Sequence, residues 1–172
     1  MPTPTQIQFA RNIYAAAKKA TDIAPEFVTA QAILESGWGR SRIGQHNLFG
    51  ITRGTGWKGK TVLILTHEYF NTPNRQFTPP ERIVSVAKTT TPGRYHYTVY
   101  RLFKDFNSLE ECLAEHTRLL QKPGYADAWP YRKDAEEFAR RIFDNRGCRY
   151  ATSPIYLKQI LSVIQTVRKI CA

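Results

Sequence analysis

The sequence predicts an α+β fold, mostly α, with a small β lobe inserted in its middle. Three observations carry that expectation. Both ends of the chain repeat apolar residues at helical spacing, while the stretch from Leu48 to Phe103 is β-branched and broken by prolines. The length of 172 residues fits a single domain with a core of its own, expected to run over 1–172.

The elements follow in order. Thr5 to Ala20 places Ile7, Ala10, Ile13, Tyr14 and Ala17 on one helical stripe. A second helix opens at Pro25, suited to a first turn, and runs to Ser36, where Gly37 can take the left-handed stop. A Ser41-Arg42-Ile43-Gly44 turn leads into the β lobe, expected over about 48–104. Its strands are Thr61-Val62-Leu63-Ile64-Leu65-Thr66 and the run from Tyr95 to Phe103. Between them lies a long connection, about 70–94, rich in proline and holding Ile83-Val84-Ser85-Val86 as an additional strand candidate. Helices then resume. Ser108-Leu109-Glu110-Glu111 reads as a capping box ahead of a stripe of Leu109, Cys112, Leu113, His116, Leu119 and Leu120. Asp134 to Asp144 turns Ala135, Phe138, Ala139, Ile142 and Phe143 inward, and a last helix caps on Ser153 and buries Leu157, Ile160, Leu161, Ile164 and Val167.

Composition narrows the function classes. An aromatic fraction of 12% and an apolar fraction of 42% describe a folded globule. No apolar run approaches the roughly 20 residues of a membrane span. The opening Met1-Pro2-Thr3-Pro4-Thr5-Gln6 lacks the basic head and apolar stretch of a secretion signal. The net charge of +11 points to a polyanionic partner, either nucleic acid or an anionic bacterial wall. Residues 51–105 hold nine basic and three acidic side chains, so the excess is densest in the lobe. Cys112, Cys148 and Cys171 are too few for a disulfide framework, and all three are expected to be free. His67 and His96 read as isolated histidines without carboxylate partners, so neither metal nor cofactor is expected.

Glu35 is the residue that composition alone does not explain. Ala32, Gln31 and Val28 precede it by three, four and seven positions, so it leaves the second helix on a largely apolar stripe. It also sits at the helix C-terminal end, where the macrodipole disfavours negative charge. Both effects raise a carboxyl pKa, and a carboxylic acid kept protonated near neutral pH is what glycoside cleavage needs. The plainer alternative has Glu35 reach solvent or pair with Arg40 or Arg42.

The residues around it favour the chemistry. Ala30-Gln31-Ala32-Ile33-Leu34-Glu35-Ser36-Gly37-Trp38-Gly39-Arg40-Ser41, followed by Asn47-Leu48-Phe49-Gly50-Ile51, resembles the bacterial endo-β-N-acetylglucosaminidases. That family includes many autolysins and the hydrolase half of the flagellar rod-capping protein. Trp57-Lys58-Gly59, Thr66-His67-Glu68-Tyr69 and Tyr150-Ala151-Thr152-Ser153-Pro154-Ile155-Tyr156 are similar to later blocks of the family, in its order. The resemblance implies a lysozyme-like fold and cleavage of the β-1,4 bond after N-acetylglucosamine in peptidoglycan. It implies Glu35 as general acid, Glu68 as the acidic residue of the lobe and Tyr150 as the active-site tyrosine. Asn47 and Phe49 then shape the groove, and Trp57 and Tyr156 complete the substrate-binding set. Tyr156 and Tyr150 also read as packing beneath the last helix, and Trp38 and Trp57 as anchors of loops.

The implied partners are peptidoglycan glycan strands, with no nucleic acid and no membrane span, acting as a monomer in the cell envelope, periplasmic or secreted. Two rivals share the fold: a lytic transglycosylase, whose Gly-Leu-Met-Gln type segment is replaced here by Asn47-Leu48-Phe49-Gly50, and a muramidase. A basic wall- or nucleic-acid-binding module without catalysis explains the charge but leaves Glu35 and the Tyr150 block unused.

Overall fold

The computed structural model describes residues 1–144 and 154–171. The chain divides into two compact units, one formed by 1–50 with 106–172 and one by 51–105.

The first unit is helical. Helix α1 (Pro4–Ala20) begins one residue earlier than its apolar pattern suggested, because Thr3 caps it. The Thr3 hydroxyl accepts from the Gln6 amide and the Gln6 side chain accepts from the Thr3 amide, a full capping box. Helix α2 (Pro25–Ser36) is buried almost all round, from Phe27 through Ile33, which marks it as the central helix of the unit. Helix α3 (Leu109–Leu120) turns Cys112, Leu113, His116 and Leu120 inward. Leu109 and Leu119, expected in that stripe, are only half-buried because the inward face is narrower. Its cap also differs from expectation: Ser108 accepts from the Glu111 amide, but the Glu111 carboxylate takes the Asn107 amide at 2.7 Å.

Two short 3₁₀ turns, Pro123–Tyr125 and Trp129–Tyr131, lead to α4 (Ala135–Asp144). There Phe138 meets Phe27 edge-on at 4.9 Å. Helix α5 (Pro154–Cys171) buries Ile160, Ile164 and Val167, while Leu157 and Leu161 remain half-buried. Cys112 is buried and Cys171 half-buried, neither of them in a disulfide, and Cys148 lies outside the described residues.

The second unit is a three-stranded antiparallel sheet in the order β1-β3-β2. Strand β1 (Thr61–Phe70) pairs along its whole length with β3 (Tyr95–Lys104). The additional strand suggested by Ile83-Val84-Ser85-Val86 forms as β2 (Arg82–Lys88) on the other side of β3, with its register slipping between Ile83 and Ser85. The β1–β2 connection passes a cis Pro79–Pro80 bond. It lies over the sheet face that carries Glu68: Phe77 packs near Phe70 and Tyr97, and the Tyr97 hydroxyl donates to the Thr72 carbonyl at 2.6 Å. Tyr97 is fully buried in consequence of such contacts. This unit begins at Ile51, not at Leu48, because Leu48 and Phe49 are buried with the helices.

Candidate active site

In the helical unit the site is built on the last turn of α2. Ser36 is buried and ties that turn down, donating from its hydroxyl to the Ala32 carbonyl at 2.6 Å and accepting from the Gly39 amide at 2.8 Å. The chain then passes through three consecutive left-handed residues, Gly37 (φ 54°), Trp38 (φ 61°) and Gly39 (φ 83°). Trp38 is not a glycine, so this backbone costs energy, of order 1–3 kcal/mol, and is held by its surroundings. The Trp38 amide donates to the Ile33 carbonyl, and the Gly39 backbone lies so close to Phe9 that an added Cβ would stand 2.6 Å from the ring edge. Glu35 is thus carried by a fixed turn.

The Tyr156 hydroxyl donates to Glu35 Oε1 at 2.6 Å, across 121 positions of sequence. Tyr156 stands on the first turn of α5 with its ring against Phe143, centroids 4.8 Å apart. The protein packed around the Glu35 carboxyl strips it of hydration and raises its pKa, and the Tyr156 hydrogen bond pulls the other way without cancelling the rise. Solvent still reaches the residue, so the acid is poised at a surface and not sequestered. Arg40, one of the two expected salt-bridge candidates, donates instead to the Gly37 carbonyl at 3.2 Å.

Asn47 and Phe49 are brought together but inside the unit, 1% and 5% exposed, where the Asn47 side chain accepts from the Phe49 amide. In this position they support the loop from within the unit. Phe49 stacks on His116 at 3.9 Å, and His116 Nε2 meets Gln31 Oε1 at 2.7 Å. Burial pushes the His116 pKa down to about 3, so the ring is neutral. Gln31 lies one turn before Glu35 on α2, which makes this stack part of the support of the same helix end.

In the sheet unit, Glu68 is held by Arg101, whose Nη1 lies 2.5 Å from Glu68 Oε2. Arg101 Nε reaches Glu81 Oε1 at 3.0 Å, and the same Glu81 oxygen accepts from the Leu102 amide at 2.9 Å. Burial alone would raise the Glu81 carboxyl, but the Leu102 amide and the Arg101 guanidinium outweigh it and hold it below the ordinary range. One guanidinium therefore bridges the lobe carboxylate and a carboxylate of the connection. Alternation along β1 and β3 puts Glu68 and Arg101 on one sheet face once the register is known, but sequence alone does not supply that register. Trp57 is half-buried, donates from its indole to the Lys60 carbonyl at 2.9 Å and lies under Lys104 Nζ at 4.6 Å, so its loop is anchored by it. His67 and His96 are not isolated as expected: Nδ1 of the first and Nε2 of the second are 3.0 Å apart. Tyr150 lies outside the described residues.

Helices with a small three-stranded sheet are also the fold of glycoside hydrolase domains of known structure. The chain matches a C-terminally truncated glycoside hydrolase domain of FlgJ from Salmonella typhimurium with a TM-score of 0.67 over 95% of this chain and 98% of that one, at 23% identity, a likeness of fold. A peptidoglycan hydrolase from Sphingomonas sp. A1, solved as a mutant, matches at 26% identity and a TM-score of 0.66 over 98% and 97%.

Residues 11–169 match the glucosaminidase family, described as mannosyl-glycoprotein endo-beta-N-acetylglucosaminidase, and the chain belongs to that family. Among curated relatives, the peptidoglycan hydrolase FlgJ of Vibrio parahaemolyticus is 30% identical over 88% of this chain. A probable N-acetylmuramidase of Lactococcus lactis subsp. cremoris is 32% identical over 93%. The matches span 43% and 34% of those two proteins, so the chain corresponds to less than half of each.

Proposed function

We propose that this chain is a peptidoglycan glycosidase of lysozyme-like fold that cleaves the β-1,4 bond after N-acetylglucosamine, with Glu35 as general acid. The observation that carries the reading is the Glu35 carboxyl itself: fixed at the end of a buried helix, raised in pKa by its packing, and joined to the Tyr156 hydroxyl. Protonated, it can deliver a proton to the glycosidic oxygen as the bond breaks; ionised afterwards, it is stabilised by the hydrogen bond from Tyr156. Three residues take on roles beyond those first expected. Tyr156 acts on the acid in addition to lining the glycan site, and Asn47 with Phe49 supports the loop from below.

Glu68, paired with Arg101, is the second carboxylate of the proposed mechanism, and either orients the attacking water or stabilises positive charge on the sugar. Tyr150 completes the catalytic set and Trp57 offers its ring to the glycan. The whole chain works as one domain and one monomer on glycan strands in the cell envelope. The family description supports the glucosaminidase bond choice, whereas the Lactococcus relative carries a muramidase name.

Mass spectrometry of digested peptidoglycan tests the proposal. New reducing ends of N-acetylglucosamine are expected, and Glu35→Gln should lower their rate by roughly 10²–10⁴-fold, the contribution of general acid catalysis. Reducing muramic acid would reassign the bond, anhydro-muramic acid would make the protein a transglycosylase, and more than about a tenth of the activity in Glu35→Gln would remove Glu35 from the mechanism.

A further inference from the structure

A pocket of about 200 Å³ opens in the helical unit, lined by Phe9 and Ile13 of α1, Leu48, Leu109 at the start of α3, and Arg42 and His46. Phe9 and Ile13 stand one helical turn apart, so α1 presents them side by side. The four apolar residues make up half of the lining, Asn12 and Gln45 add polar groups, and the two basic residues lie on a short loop. That loop is pre-formed: the Ile43 and Asn47 backbones exchange both hydrogen bonds, at 2.9 and 3.1 Å, and Gly44 takes the left-handed conformation the tight turn needs (φ 58°). Arg42 is exposed and makes no ion pair or hydrogen bond among the described residues. Its guanidinium is available to an incoming anion.

We propose that this pocket binds a short acidic peptide with alkyl side chains, the chemistry of the peptides that branch from wall glycan. The inference rests on the wall-hydrolase reading above. Three features select that ligand. The volume is below the roughly 300–1,000 Å³ of sites that enclose a drug-sized molecule, so it suits one or two amino-acid residues. The apolar half of the lining takes a methyl or other alkyl group, which a free inorganic anion lacks. The planar guanidinium of Arg42 matches a carboxylate in two-point geometry, a charge pairing that a neutral sugar does not supply.

The pocket also shares a wall with the candidate active site. Phe9 lines it on one side and abuts Gly39 on the other, within the turn that follows Glu35. A peptide seated there is held next to the turn carrying the acid. Branched glycan thereby gains a contact that bare glycan lacks.

The test is a titration of the ¹⁵N-labelled full chain with the dipeptide alanyl-glutamate, with its diamide and inorganic phosphate as comparisons. The dipeptide should shift the amides of Phe9, Ile13 and Leu48 saturably. Arg42→Gln should raise its dissociation constant about tenfold, equivalent to about 1.4 kcal/mol, and the diamide should bind the unaltered chain no better than that. Arg42→Gln should also raise KM on peptide-bearing wall and leave KM on peptide-free glycan unchanged. No saturable shift, a shift indifferent to the carboxylates and to Arg42, or equal binding of phosphate would each overturn the proposal. Glu35→Gln should bind the dipeptide normally, so loss of the catalytic assignment and loss of the peptide site register separately.

Discussion

Replacing Tyr156 with phenylalanine removes one oxygen and leaves the ring on Phe143, so it isolates the 2.6 Å hydrogen bond to Glu35. An O–H···O contact of that length to an ionised carboxylate is of the short, charge-assisted kind. Hydrogen bonds to charged groups contribute about 1.5–3 kcal/mol, and exposure of Glu35 to solvent places this one at the lower end, about 1.5 kcal/mol. The bond favours the ionised acid, which is the form produced as the proton leaves, so its loss falls on the transition state. A drop in kcat of about tenfold is expected with KM little changed. Because the hydrogen bond lowers the Glu35 pKa, its removal should also move the alkaline limb of the pH–rate profile to higher pH. Kinetics on a soluble glycan oligomer across pH would read both effects. An unmoved limb, or a change confined to KM, would refute the assignment of Tyr156 to the acid and return it to packing.

Three further outcomes are expected. Glu35→Gln should raise the melting temperature at neutral pH, since a carboxyl whose folded pKa lies above its unfolded value destabilises the fold once ionised; the gain should vanish in acid, where both states are protonated. Gly39→Ala forces a Cβ to 2.6 Å from Phe9 at a φ of 83°, and should cost about 1–3 kcal/mol in denaturant unfolding while also lowering activity through the turn after Glu35. His116, held neutral with a pKa of about 3 against an ordinary 6.5, contributes stability that is complete above 6.5 and declines as pH falls toward 3, by up to about 1.4 kcal/mol per unit; His116→Phe should flatten calorimetric stability across that window.

Much of the helical unit was legible from periodicity, and the misses have physical causes. The start of α1 lay in Thr3 and Gln6, a polar pair that an apolar pattern does not weigh. The strand at 82–88 was visible as a β-branched run, but its place beyond β3 depends on long-range pairing that no local signal encodes. Glu35 stood out because helix position, apolar neighbours and surrounding motif all marked it. Its partner did not, since Tyr156 is 121 residues away and its ring reads equally well as packing. Arg101 was hidden for the same reason: only the register of β1 on β3 brings it to Glu68. Burial of Asn47 and Phe49 was likewise hidden, because a motif match identifies residues and says nothing of their depth.

The β1–β2 connection reads in the sequence as part of a long proline-rich link, but its contacts make it part of what holds the sheet unit together. Phe77 covers the ring cluster of Phe70 and Tyr97, the Thr72 carbonyl and the Arg75 amide hold the Tyr97 hydroxyl, and Glu81 takes half of the Arg101 guanidinium. Because β1 and β2 lie on opposite sides of β3, the connection has to cross the sheet, and shortening it would strip aromatic surface from a sheet of only three strands and leave Arg101 facing a single carboxylate. The segment is therefore unsuited as a graft or deletion point for engineering. Replacement of its exposed residues in place is the route by which this lobe can be altered and still fold.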